Sequence, residues 1–224
     1  MSAPQAPLRA AAFVRVESLL LPDLALRAPW HAALNAPGVG GRAGRVAALT
    51  AGLPLLGALQ RVDRRTARRL AAYACRGLGG DRLAVLWRER YADLLSSPLR
   101  PLGEEVVARA RAGGHRLVLV STAPEVALAP LAERLGADAL LGARFELRDG
   151  VATGRLEEPL APGRVEACAD ALGVSLAGSY AYGVDTHDLP LLRCVGFPCA
   201  VRPDVRLRRA AERAGWPMLW ETAS

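Results

Sequence analysis

Apolar positions along the chain fall into short continuous runs separated by stretches with helical spacing. Residues 11–16 (AAFVRV) form a partly β-branched run followed by Glu17 and Ser18, the pattern of a buried strand entering a loop. After Gly113 and Gly114, residues 115–121 (HRLVLVS) form a second apolar strand, and residues 179–182 and 197–201 supply two more. Helical spacing is predicted over residues 104–112, 122–135, 163–172, 189–195 and 204–214. Within RFELRDGVATGR, residues 144–155, the Asp149-Gly150 dipeptide predicts a tight hairpin turn. Strands alternating with helices imply an α/β fold with a mostly parallel sheet covered on both faces. Ligands of such sheets bind beyond the carboxyl ends of the strands. That rule gathers residues 15–18, Ser121 with Thr122, and residues 183–188 into one candidate site.

Between residues 24 and 95 the texture changes to Ala, Leu and Arg at helical spacing, punctuated by Gly and Pro at 37–41 and by Gly at 77–80. A helical insert is expected there. Arg61, Arg64, Arg65, Arg68 and Arg69 recur at i, i+3, i+4, i+7 and i+8, so they share one helical face. A solvated face explains them; binding to nucleic acid or an anionic membrane is the alternative, and no aromatic interleaving accompanies it. The apolar run at residues 46–59 fits a helix pair, a dimer contact or a surface for an apolar substrate tail.

Composition narrows the chemistry. With 224 residues, 51% hydrophobic and 23% charged, the chain can bury a full core as one large domain or a domain with an insert. All 29 basic residues are arginine. Without a lysine there is no Schiff-base or pyridoxal-phosphate anchor and no Walker-type phosphate loop. The net charge of +7 permits an anionic partner, but the arginine bias weakens that inference. Cys75, Cys168, Cys194 and Cys199 make no CxxC pair, and His31, His115 and His187 lie far apart, so neither zinc spacing nor a disulfide framework is indicated. The start of the chain has no signal-peptide pattern, and the stretch 46–60 is too short to span a bilayer, so a soluble cytoplasmic protein is expected.

Three stretches together resemble the haloacid dehalogenase-like superfamily, in its phosphoserine-phosphatase-like branch. Residues 179–219 (SYAYGVDTHDLPLLRCVGFPCAVRPDVRLRRAAERAGWPML) look like the branch's fourth motif, the next strand and its closing signature. LVLVSTAPEVALAPLAERLGAD is similar to the motif-two strand and helix, with Ser121 at the phosphate-binding position, and AFVRVESLL occupies the place of the family's Phe-Asp-x-Asp-Gly-Thr-Leu. The resemblance implies a Rossmann-like core from residues 1–21 and 98–224, with an α-helical cap inserted at 22–97.

In active members the first Asp of motif one attacks phosphorus, the second is acid and base, and a motif-four Asp helps to hold magnesium. Arg15 stands at the nucleophile's place, Glu17 at the acid/base place and Ser18 at the Gly place. A guanidinium has no lone pair available for attack. The fourth motif reads GVDTHD, so its first acid is Val184 while Asp188 survives; Asp185 is a shifted metal candidate. Arg164 corresponds to the motif-three Lys, and with Ser121 and Thr122 it makes the expected phosphate-binding set. Ser121 and Thr122 also fit the bland role of capping the following helix. Arg15 and Val184 remove both carboxylates that magnesium would use, so the expected cofactor is none, or magnesium held weakly. Arg15 is instead expected to replace the ion electrostatically, pairing with Asp188, Asp185 or Glu17.

These residues imply a phosphatase-fold protein, catalytically impaired or inactive, that binds or regulates through a small phosphorylated or anionic ligand. One alternative is an active magnesium-dependent phosphomonoester hydrolase using Glu17, Asp185 and Asp188. The other is a binder of nucleic acid or anionic membrane through the cap arginines. Asp204, ahead of an arginine-rich helix, is expected to cap it, and His115 and His187 are expected to stay outside the chemistry.

Overall fold

The computed structural model describes residues 9–21, 72–73 and 75–220. They form a seven-stranded sheet of order β4-β3-β2-β1-β5-β6-β7. The strands are β1 (Ala11–Arg15), β2 (Arg116–Pro124), β3 (Ala139–Arg148), β4 (Val151–Glu157), β5 (Tyr180–Gly183), β6 (Phe197–Val201) and β7 (Met218–Leu219). The helices are α1 (Gly80–Ser96), α2 (Pro101–Ala112), α3 (Glu125–Arg134), α4 (Arg164–Leu172), α5 (Leu189–Cys194) and α6 (Val205–Ala214). Every pairing is parallel except the β3–β4 hairpin.

β1 is buried along its whole length because it is central and covered on both sides, so its apolar residues need not alternate with polar ones. Ala12 and Val14 join one core with Val106, Val107 and Ala110 of α2 and Leu128 and Leu131 of α3. Ala11 and Phe13 join the other, with Val165 and Ala169 of α4, Leu191 and Leu192 of α5, and Leu207 and Ala211 of α6. The chain runs outward from β1 through β2 and β3, then returns to β5 and runs outward the other way. The strand order therefore reverses between β1 and β5, and a crevice opens at the carboxyl ends there.

Two irregularities shape that crevice. Val16 accepts from the backbone N–H groups of Leu20 and Leu21, a tight turn that buries Leu19, Leu20 and Leu21. Ser18 sits in it with φ of 63°, the left-handed conformation that glycine adopts freely and a serine adopts with strain. On the neighbouring strand, the β2–β3 register shifts between Val120 and Pro124. Ladder irregularities of this kind re-aim side chains at functional rims.

The α/β architecture expected from the sequence is present, with corrections at the element ends. Residues 122–124 belong to β2, and the helix expected from residue 122 begins at Glu125. The hairpin turns at Asp149 and Gly150, φ 51° and 76°, but β3 starts at Ala139 and pairs in parallel with β2 before it turns back. β7 was not anticipated. Of the insert expected at 22–97, the described part includes α1; the Arg61–Arg69 face, residues 46–59 and His31 lie outside the described residues. α1 meets the hairpin through Trp87 and Phe145, whose ring centroids are 5.9 Å apart. Gly77 and Gly80 donate to the carbonyls of Ala152 and Gly150, and Ala152 donates to that of Leu78, so the segment entering α1 is sewn to β4.

Candidate functional site

Arg15 ends β1, level with Val120 of β2, and its side chain is only 5% exposed. Nε lies 3.2 Å from Glu17 Oε2, and Nη1 lies 2.9 Å from Asp188 Oδ1. One guanidinium thus bridges two carboxylates from different ends of the sequence. Glu17 is held on its other side by β2: its Oε1 accepts from the Ser121 hydroxyl at 2.8 Å, the Thr122 hydroxyl at 2.7 Å and the Thr122 backbone N–H at 2.7 Å. The Ser121 hydroxyl also accepts from the Ala123 N–H at 3.0 Å.

These bonds settle the bland alternative for Ser121 and Thr122. The residue at the start of α3 is Pro124, with no side-chain cap, and both hydroxyls are committed to Glu17.

Asp188 comes from the turn after β5. Its Oδ2 accepts from the Val184 N–H at 2.8 Å and the Asp185 N–H at 3.3 Å. Gly183 permits this fold-back, since a Cβ there would stand 2.8 Å from the Asp188 Cβ and 2.9 Å from Leu192 Cδ1. Asp185 accepts from the His187 N–H at 2.8 Å, and the His187 Nδ1 is 3.3 Å from the same oxygen. Asp204 pins the turn from outside: it accepts from the Thr186 hydroxyl and caps α6 through the Leu207 N–H, as the sequence suggested.

Burial works against every charge here, and the partners decide the outcome. For Glu17, burial is outweighed by the Arg15 guanidinium and the Thr122 and Ser121 hydroxyls, which hold its carboxyl below the usual range. For Asp185, burial is outweighed by His187 and Arg15, leaving it at about 2. For Asp188, burial and the neighbouring Asp185 push the carboxyl up against the pull of Arg15 and two backbone N–H groups. The contact at 2.9 Å to a guanidinium charged at every accessible pH favours its ionised form at neutrality.

Arg164 goes elsewhere. Its guanidinium is 2.6 Å from Glu125 Oε1 and donates to the carbonyls of Gly142 at 2.7 Å and Glu158 at 3.0 Å. Glu125 Oε2 meets Arg144 Nε at 2.8 Å, and Oε1 accepts from the Gly142 N–H at 3.2 Å. Arg164 therefore braces α4 against α3 and β3 in a cluster of its own. Glu125 was not singled out from the sequence. Its partners lie 17 to 39 positions away, so no local signal marks it.

The donor set does not fit a magnesium ion. A permanent cation already lies against the two innermost carboxylates, Val184 contributes only methyl groups, and Asp188 Oδ2 is taken by two N–H groups. Among the described residues no group of three or more His, Cys, Asp or Glu side chains is arranged to hold a metal. The end of β1 presents a guanidinium, which has no lone pair to offer, and Glu17 Oε1 beside it already accepts three bonds. No helix among the described residues is long and apolar enough to cross a membrane.

The chain is 33% identical, over 159 residues, to the inhibition of morphological differentiation protein of Streptomyces azureus, covering 67% of this chain and 57% of that one. Over 167 residues it is 30% identical to a phosphoserine phosphatase of Mycobacterium tuberculosis, covering 72% and 54%. The chain thus spans about half the length of these curated relatives. A crystal structure of a protein of unknown function from Bordetella pertussis superposes with a TM-score of 0.73 at 26% identity, covering 94% of this chain and 98% of that one. A phosphoserine phosphatase carrying a phospho-aspartyl intermediate analogue shares the fold, with a TM-score of 0.60 at 18% identity over 96% and 95% of the two chains. The family model for haloacid dehalogenase-like hydrolases matches residues 12–193, a span running from β1 to α5 that takes in Arg15, Ser121, Arg164 and Asp188; the chain belongs to that family, in its phosphoserine-phosphatase-like branch.

Proposed function

We propose that this chain is a phosphatase-family protein that has lost, or nearly lost, phosphoaspartyl chemistry and acts in the cytoplasm as a binding or regulatory protein for a small phosphorylated or anionic ligand. The observation that carries the reading is the buried Arg15 guanidinium lying against both Glu17 and Asp188. Attack on phosphorus needs an anionic oxygen at the end of β1, and this chain puts a cation there.

Relatives named phosphoserine phosphatase and histidinol-phosphatase support descent from a phosphomonoester cleft. They do not supply this chain with a nucleophile. Hydrolysis through Glu17, Asp185 and Asp188 would first have to free Glu17 Oε1 from three donors and displace Arg15 from two carboxylates. The alternative of nucleic-acid or membrane binding rests on Arg61–Arg69, which lie outside the described residues.

The test is to restore the two missing acids. Arg15→Asp combined with Val184→Asp is assayed against a panel of phosphomonoesters with magnesium, beside the natural protein. Turnover arising in the double variant alone is the expected result. Equal, magnesium-dependent turnover in the natural protein would overturn the proposal.

A further inference from the structure

We infer that the cleft between α1, the start of α3 and β3 binds a small acid with an apolar body, a carboxylate of medium chain length, held at the rim by Arg144. The inference deepens the functional reading above and rests on it: it gives the anionic ligand a place apart from the strand ends, where Arg15 and its carboxylates already satisfy one another.

The floor of the cleft follows from the alternation of β3. Ala143, Phe145 and Leu147 recur at every second position and so share one face of the strand. Gly80 and Leu83 of α1 wall one side, and Pro124 and Val126 the other. The space between them is about 240 Å³, and apart from Glu125 and Arg144 no lining residue carries a polar side chain. Gly80 sets the width, since a Cβ on it would stand 2.9 Å from Leu147 Cδ1. Val126 at 40% and Leu147 at 46% exposure leave apolar surface at the mouth, which a bound chain would take out of water. A mostly apolar concavity with a few placed polar groups is the ordinary form of a small-ligand site.

Arg144 selects the head of the ligand. Its Nε lies 2.8 Å from Glu125 Oε2, while its terminal nitrogens have no partner among the described residues. Glu125 is held at its other oxygen by Arg164 at 2.6 Å, so two guanidiniums share one carboxylate. The next acid, Glu157, leans on Arg164 at 4.0 Å. Arg164 itself is buried, with its terminal nitrogens spent on Gly142, Glu158 and Glu125. Arg144 is thus an exposed, permanently charged fork with donors left over, and a carboxylate takes such a fork on two oxygens. At ~30 Å³ for each water-sized group, the cleft admits on the order of eight methylenes, which sets the length of the probe.

The experiment titrates octanoate into the full chain and reads the heat and the shift in Tm, with n-octanol as the neutral probe and inorganic phosphate as a head without a tail. Octanoate should bind saturably and raise Tm, octanol should bind at least ~10-fold more weakly, and phosphate should not displace octanoate. Arg144→Gln should bring octanoate down to the affinity of octanol and leave octanol unchanged. Val126→Trp closes the mouth from an exposed position and should abolish binding of both probes, with Leu147→Trp as the second variant should the first fold poorly. No saturable octanoate binding by the natural chain, equal binding of octanol, an unchanged octanoate affinity in Arg144→Gln, or binding that survives in a folded tryptophan variant would each overturn the inference. None of these results touches the loss of phosphoaspartyl chemistry, which falls on magnesium-dependent turnover by the natural chain whatever octanoate does.

Discussion

Arg15 Nη1 lies 2.9 Å from Asp188 Oδ1, joining the end of the central strand to the turn after β5 across 173 positions of sequence. Both side chains are almost wholly buried, at 5% and 0% exposure. Two charges taken out of water are tolerable only as a pair, so each residue makes the other necessary. In the family pattern the same strand ends carry acids that a metal gathers together; here a side chain gathers the remaining ones.

Removing one member should therefore cost more than removing both. Asp188→Asn leaves the guanidinium buried with only Glu17 beside it and should destabilise the fold by about 3–5 kcal/mol. Combining it with Arg15→Met should recover at least ~1 kcal/mol relative to the sum of the single changes. Urea denaturation of the four proteins measures the cycle, and strict additivity would show that the contact contributes nothing.

Acid should weaken the site in a defined window. The Asp185 carboxyl is lowered from 3.8 to about 2, so the folded protein binds that proton more weakly than the unfolded chain does. Its contribution, about 2 kcal/mol, is present above pH ~4 and is lost as pH falls toward ~2. Glu17, also lowered, acts in the same direction, while the raised Asp188 opposes both. His187→Ala removes one partner of Asp185 and should flatten the loss of stability over that window, as read from urea midpoints at each pH.

Arg164 should prove structural and intolerant of lysine. It reaches Glu125 and two carbonyls at once, which a single ammonium cannot match. Arg164→Lys should cost about 1–2 kcal/mol, and Glu125→Ala about 2–4 kcal/mol because it strands a buried guanidinium. Urea midpoints of the two variants read these costs, and an Arg164→Lys protein as stable as the natural chain would contradict the bracing role.

Gly183→Ala should destabilise through contact alone. The added Cβ would meet the Asp188 Cβ at 2.8 Å and Leu192 Cδ1 at 2.9 Å. A cost of about 1–3 kcal/mol is expected, with Asp188 pushed off Arg15, and thermal denaturation reads it directly.

The sequence made the sheet and the crevice legible because buried parallel strands read as unbroken apolar runs and their ends carry the polar residues. AAFVRVE and HRLVLVST placed Arg15, Glu17, Ser121 and Thr122 at neighbouring strand ends, where the structure joins them. Three features were hidden. β3 opens with Ala-Leu-Leu-Gly, too short and too helix-like to be told from the end of the preceding helix. Ser121 and Thr122 read equally well as helix caps and as phosphate ligands; that both hydroxyls meet Glu17 is a contact across 104 and 105 positions that no local pattern marks. Arg164 followed the motif-three lysine in position but not in partner, because its choice of Glu125 depends on how α3, α4 and β3 pack.

The most direct test of the account is steady-state phosphomonoester hydrolysis by the purified natural chain with and without magnesium, beside Asp188→Asn. The account predicts no magnesium-stimulated turnover in the natural chain and no difference between the two proteins. Turnover that magnesium stimulates and Asp188→Asn abolishes would contradict it.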